Sequence, residues 1–544
     1  MLLRGSIIVA LVVIILGVPY VLRPPQAELA ADALTLTTLS PHNEAIRVEF
    51  ERAFSQWHRE RYGQPVRIDW RSIGGTSQIA RYLASEYVAA FRAHWTGRLG
   101  RPWTPAVEAG FANRRLDPAH PKPGTPPEAV EARKAFLESN VGIGVDLFFG
   151  GGWYDHDKQA QIGNTVPCGI ATDHPELLRP EIMPQAASGE TYYDKRDRYY
   201  GCCLTCFGIC YNRDVLGRLG IDSPPDQWRD LADPRFFAEI GLADPTKSGS
   251  ANKAFEMLIQ QQIAAEIRGR CRRRNVDTLA PADQATAVAD GFWRGMRLVQ
   301  RIAANARYFT NTSSKVPIDV VQGNAAAGMC IDFYGRFEAG MAAEREGTDR
   351  MSYVTPVGGS SVSADPISML RGAPQPELAR RFIYFCLTPD GQKLWHYRVG
   401  APGGPSTYAL RRPAIRRDMY TPEHRRWASD PDVDPYALAE AFTYNYRWTA
   451  ALFDFIRLFI RAMCIDTHDE LTAAWSAIIA AGGPDACPDG VERMQQMPLS
   501  YDQAGKLDLR NKLEAVSLTR QWDAHFRANY LTARRLAEQG AAAR

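Results

Sequence analysis

Catalytic signatures are missing from this chain. Its 544 residues contain no Gly-x-Ser-x-Gly, no Gly-x-x-x-x-Gly-Lys-Ser/Thr and no His-Glu-x-x-His. Histidine is scarce, at ten, and the carboxylates form no isolated acid/base pair in a glycine-rich loop. A hydrolase would need a nucleophile that the sequence does not offer, so no enzyme is expected. Basic tracts are missing too. Lys and Arg total 64 against 61 Asp and Glu, and the net charge of +3 is too mild to point to nucleic acid. The arginines at 268, 270 and 272–274 form a local cluster that reads as a solvated helix end. Internal repeats are absent.

Long hydrophobic runs are also lacking, with one exception. Residues 7–22 are apolar apart from Gly17, Pro19 and Tyr20, follow Arg4 and stop at Arg23-Pro24-Pro25. Residues 1–25 therefore read as an export signal or a short N-terminal anchor, holding the chain to the membrane if uncleaved. No Cys follows closely, which argues against a lipoprotein. Ala450 to Met463 carries Asp454, Arg457 and Arg461 and reads as an amphipathic or core helix. Export permits disulfides, but the ten cysteines form no small-scaffold framework. Cys202, Cys203, Cys206 and Cys210 crowd a stretch from Tyr199 to Tyr211 that reads as one buried strand, with Cys used as a small apolar residue. Cys464 and Cys487 flank a helix–turn region and make a candidate disulfide.

What is present is a pair of similar turns. Val66, Ile68 and Trp70 alternate with polar residues as a strand does, Gly74-Gly75 breaks it, and Thr76-Ser77 opens a helix faced by Ile79, Tyr82 and Leu83. Much further on, Ile240 and Leu242 lead into Asp244-Pro245-Thr246-Lys247-Ser248-Gly249-Ser250 and a second helix. Free N–H groups and hydroxyls at a helix N-terminus make an anion cup. A plain N-cap explains either turn alone. Two such turns on separate lobes would be able to close on one ligand.

The surrounding pattern is α/β. Leu34 to Leu39 is a strand, and Ser40-Pro41-His42-Asn43-Glu44 turns into a helix with Ile46, Phe50, Phe54 and Trp57 on one face. Residues 90–135, rich in Trp and Pro, read as an insertion with an irregular tip. The pattern resumes with Asp146-Leu147-Phe148-Phe149 running into Gly150-Gly151-Gly152-Trp153. Residues 413–544 are mostly helical and polar.

These pieces, taken in order with Pro366-Ile367-Ser368 before Phe382 to Trp395, resemble the extracellular solute-binding proteins of ABC transporters. Within them the chain is most similar to the branch of ferric-iron, phosphonate and sugar-phosphate binders, over about residues 33–412 without the insertion. The resemblance implies a two-lobe periplasmic-binding-protein type II fold with a C-terminal helical extension, hinge closure, an inner-membrane permease as partner, and no cofactor. It implies a first lobe at 33–152, a second at 153–355, a return at 356–412 and the extension at 413–544. It implies ligand contacts from His42, Asn43, Gly75, Thr76, Ser77, Trp153, Thr246, Ser248, Ser250, Asp332 and Tyr334. Ferric binders place two adjacent tyrosines where this chain reads Asp332-Phe333-Tyr334, and phenolates suit Fe(III). One of the pair is missing, and Tyr192-Tyr193 and Tyr199-Tyr200 lie off the motif. The expected solute is therefore a small anionic molecule, phosphorylated or a phosphonate, with no metal at the site. Ferric iron is the alternative ligand. A membrane-anchored scaffold or sensor domain, or an unassigned hydrolase, is the alternative of another class.

Overall fold

The computed structural model describes residues 33–509 and 512–542. The apolar run at residues 7–22 lies outside them. Among the described residues no helix is long and apolar enough to cross a membrane.

The strands are β1 (Leu34–Leu39), β2 (Val66–Arg71), β3 (Leu147–Phe149), β4 (Ala186–Ala187), β5 (Glu190–Thr191), β6 (Tyr200–Thr205), β7 (Phe207–Asn212), β8 (Ile240–Ala243), β9 (Ala306–Thr310), β10 (Ala327–Ile331), β11 (Met351–Val354) and β12 (Ser363–Met369). One five-stranded sheet runs β2-β1-β3-β12-β6 and a second runs β11-β7-β10-β8-β9, while β4 and β5 form a small hairpin. In the first sheet β1 is parallel to β2 and β3, and β12 is antiparallel to its neighbours. Each sheet has its own core, and the chain builds one lobe on each. This is the two-lobe type II architecture that the sequence led us to expect.

The lobes join where strands change sheets. β6 ends at Thr205 and β7 begins at Phe207, so Cys206 alone separates the two sheets. Residues 199–211 are thus two strands, not one. The return runs from Val354 to Ser363. The two crossings touch: Cys206 Sγ lies 3.1 Å from Thr355 Oγ1, and Phe207 N–H donates to Ser360 Oγ at 2.8 Å.

The chain therefore leaves the first lobe at Cys206, not near residue 152. The loop Gly150–Gly152 turns β3 into a helix, Trp153–Ile162, which packs back on β12 of the same sheet. The insertion is also more ordered than its composition suggests. Helices Pro105–Phe111 and Pro127–Glu138 pack together; Phe91 stacks on Phe111, and Phe136 meets both edge-to-face, with centroids 4.9–5.3 Å apart. The irregular part shrinks to residues 112–126.

The C-terminal helices complete the second lobe. Helix Pro281–Ala304 buries Phe292, Met296, Val299 and Ile302 in one core shared with Phe455, Phe459, Trp475, Phe526 and Tyr530. Trp475 Nε1 donates to Asn305 Oδ1 at 2.7 Å, and Gln300 Nε2 to Met494 O at 2.9 Å. To reach this position the chain crosses between lobes a third time. Tyr436 and Ala439 belong to the first lobe's core, whereas Phe442 and Tyr444 belong to the second's. All ten cysteines are free thiols, so the candidate Cys464–Cys487 bridge is not formed. Cys464 is packed at 0% exposure in the shared core, as a small apolar side chain.

Candidate functional site

The first lobe contributes a wall of tight backbone. Gly150 and Gly151 have φ of 98° and 103°, a region that side chains disfavour. A Cβ on Gly150 would lie 2.5 Å from His42 Nε2, and one on Gly151 2.6 Å from Thr76 Cγ2. Only glycine lets this loop lie against both residues. His156 holds the loop from behind: its Nε2 lies 3.1 Å from Gly150 O and its Nδ1 2.6 Å from Ser368 Oγ. A neutral ring protonated at Nε2 satisfies both, and burial pushes the imidazole down to about 4.

His42 Nε2 faces Asp365 Oδ2 at 3.1 Å. Arg412 pairs with the same carboxylate and lies 4.0 Å over the Phe333 ring of the second lobe. Burial lowers the His42 pKa, while burial of Asp365 is outweighed by Arg412, which holds the carboxyl below its usual range. Tyr334, beside Phe333, is half-buried, and burial raises its phenol pKa. Asn43 acts as a helix cap, accepting from Ile46 N–H at 3.2 Å.

Asp332 does not face a ligand space. It is fully buried at the crossing, accepting from Thr205 Oγ1 at 2.7 Å, its own neighbour Phe333 N–H at 2.9 Å and Cys206 Sγ at 3.5 Å, with Arg336 at 3.8 Å. Its oxygens are taken by the hinge. This corrects the expectation that it meets solute.

The serine turns divide their hydroxyls between internal and open roles. Thr246 donates both N–H (2.8 Å) and Oγ1–H (2.7 Å) to Asp244 Oδ1, and Ser248 Oγ caps Ala251 N–H at 3.2 Å. Gly75 begins the helix Thr76–Ala93, its N–H donating to Gln78 Oε1 at 2.9 Å. Among the described residues, no side-chain hydrogen bond is made by Thr76, Ser77 or Ser250. These three sit in the first turns of helices whose leading N–H groups have no partner within the helix.

A buried chain of polar groups spans the lobes. Trp153 Nε1 donates to Glu190 Oε2. Glu190 Oε1 lies 3.1 Å from Lys253 Nζ, one turn into the second serine turn's helix. The same ammonium is 3.0 Å from Glu256 Oε2 and 3.6 Å above the Tyr444 ring. Ser361 Oγ donates to Glu190 at 2.7 Å, and Tyr444 OH to Glu256 at 2.9 Å. Burial opposes the Lys253 charge, but the two carboxylates raise its pKa above the ordinary lysine value. Among the described residues no group of three or more His, Cys, Asp or Glu is placed to hold a metal.

Residues 140–427 match the family described as bacterial extracellular solute-binding protein. The chain belongs to that family. An uncharacterized protein of Haemophilus influenzae is 22% identical over 249 residues, 46% of this chain and 60% of that one. The phosphoglycerate transport regulatory protein PgtC of Salmonella typhimurium is 21% identical over 222 residues, 41% of this chain and 47% of PgtC. The solute-binding chain thus spans less than two thirds of these curated relatives. Among solved structures, the periplasmic binding protein AfuA of Actinobacillus pleuropneumoniae, with fructose-6-phosphate bound, is 16% identical, with 78% of this chain and 99% of AfuA covered and a TM-score of 0.48. Iron-bound HitA of Pseudomonas aeruginosa is 15% identical over 78% of this chain and 98% of HitA, with a TM-score of 0.45.

Within this solute-binding chain, sequence reasoning missed Glu190, Lys253, Asp365, Arg412 and His156. Lys253 alone carried a signal: it lies three residues after Ser250, on the neighbouring helical turn. The other four are isolated in sequence and meet their partners only across the fold.

Proposed function

We propose that the chain is the extracytoplasmic binding component of an ABC importer. It works in the periplasm, takes a small phosphorylated or phosphonate solute between its lobes, and delivers it to an inner-membrane permease without chemical turnover. The observation that carries this reading is the set of open hydroxyls on Thr76, Ser77 and Ser250. They sit on both lobes, at N-termini of helices of 18 and 26 residues. Such termini favour anions. The phosphoglycerate named for PgtC agrees with that chemistry. The single tyrosine in Asp332-Phe333-Tyr334, where ferric binders place two adjacent ones, weighs against hard-metal ligation.

The test is thermal unfolding of the full chain with 3-phosphoglycerate, a hexose 6-phosphate, a phosphonate and ferric citrate. A phosphorylated solute should raise Tm saturably, a hundredfold excess over Kd corresponding to about 2.7 kcal/mol. The paired substitutions Ser77→Ala and Ser250→Ala should abolish that rise. A visible charge-transfer band with ferric ion, or conversion of any solute to product, would overturn the proposal.

A further inference from the structure

A groove of about 960 Å³ opens on the second lobe, between helices Gly249–Arg274 and Pro281–Ala304, and none of the residues named for the candidate interlobe site lines it. Arg229, Arg268, Arg294, Arg297 and Arg301 converge there, with Glu266 and Asp290 the carboxylates among the lining and Asp230 beside Arg229 at 3.8 Å. Both lining carboxylates are already engaged. Glu266 pairs with Arg270 and Arg294 at 2.9 Å each, and Asp290 pairs with Arg270. Arg297 Nε donates to Gln495 O at 3.4 Å.

Arg268 and Arg301 stand apart. Among the described residues neither guanidinium has an ion pair or a side-chain hydrogen bond. Arg301 is half-buried, and burial alone pushes its pKa down, because no carboxylate offsets the lost hydration. Arg294, Arg297 and Arg301 fall at i, i+3 and i+7 on one helix, so they share a face, and Arg268 comes from the opposite wall. Trp293 and Leu298, nearly buried, provide an apolar surface between them. Guanidinium forks without partners, Arg301 half-buried and Arg268 exposed on the facing wall, are suited to oxyanions, which they grip through two parallel hydrogen bonds.

We propose that this groove is a second anion site, taking a soluble ligand that carries two or more phosphate or carboxylate groups. The spread of arginines over two walls requires more than one anionic group to engage them together. The volume suits a molecule of sugar-bisphosphate or nucleotide size. Val357 and Gly358 of the return crossing form part of its rim, so an occupant touches the hinge.

The test is calorimetric titration of the full chain carrying Ser77→Ala and Ser250→Ala, which silences the proposed interlobe site. Pyrophosphate and tripolyphosphate should bind at one saturable site, more tightly than orthophosphate, and more weakly as salt rises. Adding Arg268→Glu, on an exposed helix face, should weaken pyrophosphate at least tenfold, and Arg301→Gln likewise. Absence of saturable pyrophosphate binding, or affinity unchanged in both arginine variants, would overturn the site. Arg268-dependent binding to phosphatidylglycerol vesicles without pyrophosphate binding would reject a soluble ligand in favour of a lipid headgroup. A failure here leaves the interlobe reading intact, because that site is removed from the titration.

Discussion

The two serine turns begin helices in the same manner, yet they are built differently. The first, Gly75 to Ser77, has Gly75 exposed and Thr76 and Ser77 half-buried, and its one conspicuous internal bond is the loop closed by Gln78 on Gly75 N–H. The second is organised from below by Asp244, capped by Ser248 and followed at one turn by Lys253, which meets the buried carboxylate of Glu190 from another segment and that of Glu256 on its own helix. One is a rim; the other is wired into the junction of the lobes and the extension. The difference teaches that a hydroxyl-bearing helix end is easily made from local sequence, but tying it into the junction of two lobes takes buried charge.

Lys253→Met gives the largest expected separation between them. It strands Glu190 and Glu256, both fully buried, and should cost about 3–5 kcal/mol in denaturant unfolding. Adding Glu190→Gln should recover part of that loss. Gln78→Ala in the first turn should stay within about 0.5 kcal/mol. Equal losses in the two would erase the distinction.

Acidity should separate the two supports next. The folded His156 value of about 4 lies below the unfolded imidazole's, about 6.5. Its contribution is fully present above that unfolded value and is lost as pH falls towards 4. Lys253 has the opposite sign: its folded pKa is raised, so its contribution persists below the unfolded lysine value and fades only in alkali. Unfolding curves across pH should therefore show an acid loss that His156→Gln flattens and an alkaline loss that Lys253→Met removes. Persistence of the acid loss in His156→Gln would shift it to His42, whose pKa is also lowered by burial.

Smaller still is the effect of the hydroxyls. Ser248→Ala removes a cap and should cost about 1 kcal/mol. Ser250→Ala should leave Tm unchanged and weaken only solute binding. A stability loss in Ser250→Ala equal to that of Ser248→Ala would make the second turn purely structural.

Much of this fold was legible from local pattern. Strand alternation at Val66–Trp70, the turn at Ser40–Glu44 that opens a helix and the glycine break after Phe149 rest on neighbours within a few residues, where periodicity and turn chemistry act. The single-strand reading of residues 199–211 failed because both halves are apolar and buried, so nothing in the pattern marks the change of sheet at Cys206. The lobe boundary drifted for the same reason: a glycine loop marks a turn, and only the packing of Trp153–Ile162 on β12 shows which lobe the turn enters. Asp332 was misplaced because the resemblance assigns its position to the ligand, whereas here its partners Thr205 and Cys206 arrive from a distant segment and take its oxygens.

By itself the sequence determined the class of the protein, the strand–helix alternation of its first lobe and the two helix entries opened by hydroxyl residues. These depend on interactions along the chain. The tertiary structure alone decided which hydroxyls stay open, that Glu190 joins Trp153 to Lys253, that Arg412 crosses to Phe333, and that the extension completes the second lobe's core. Those outcomes depend on contacts between residues far apart in sequence, where burial removes water and leaves each charge to find its partner in the fold.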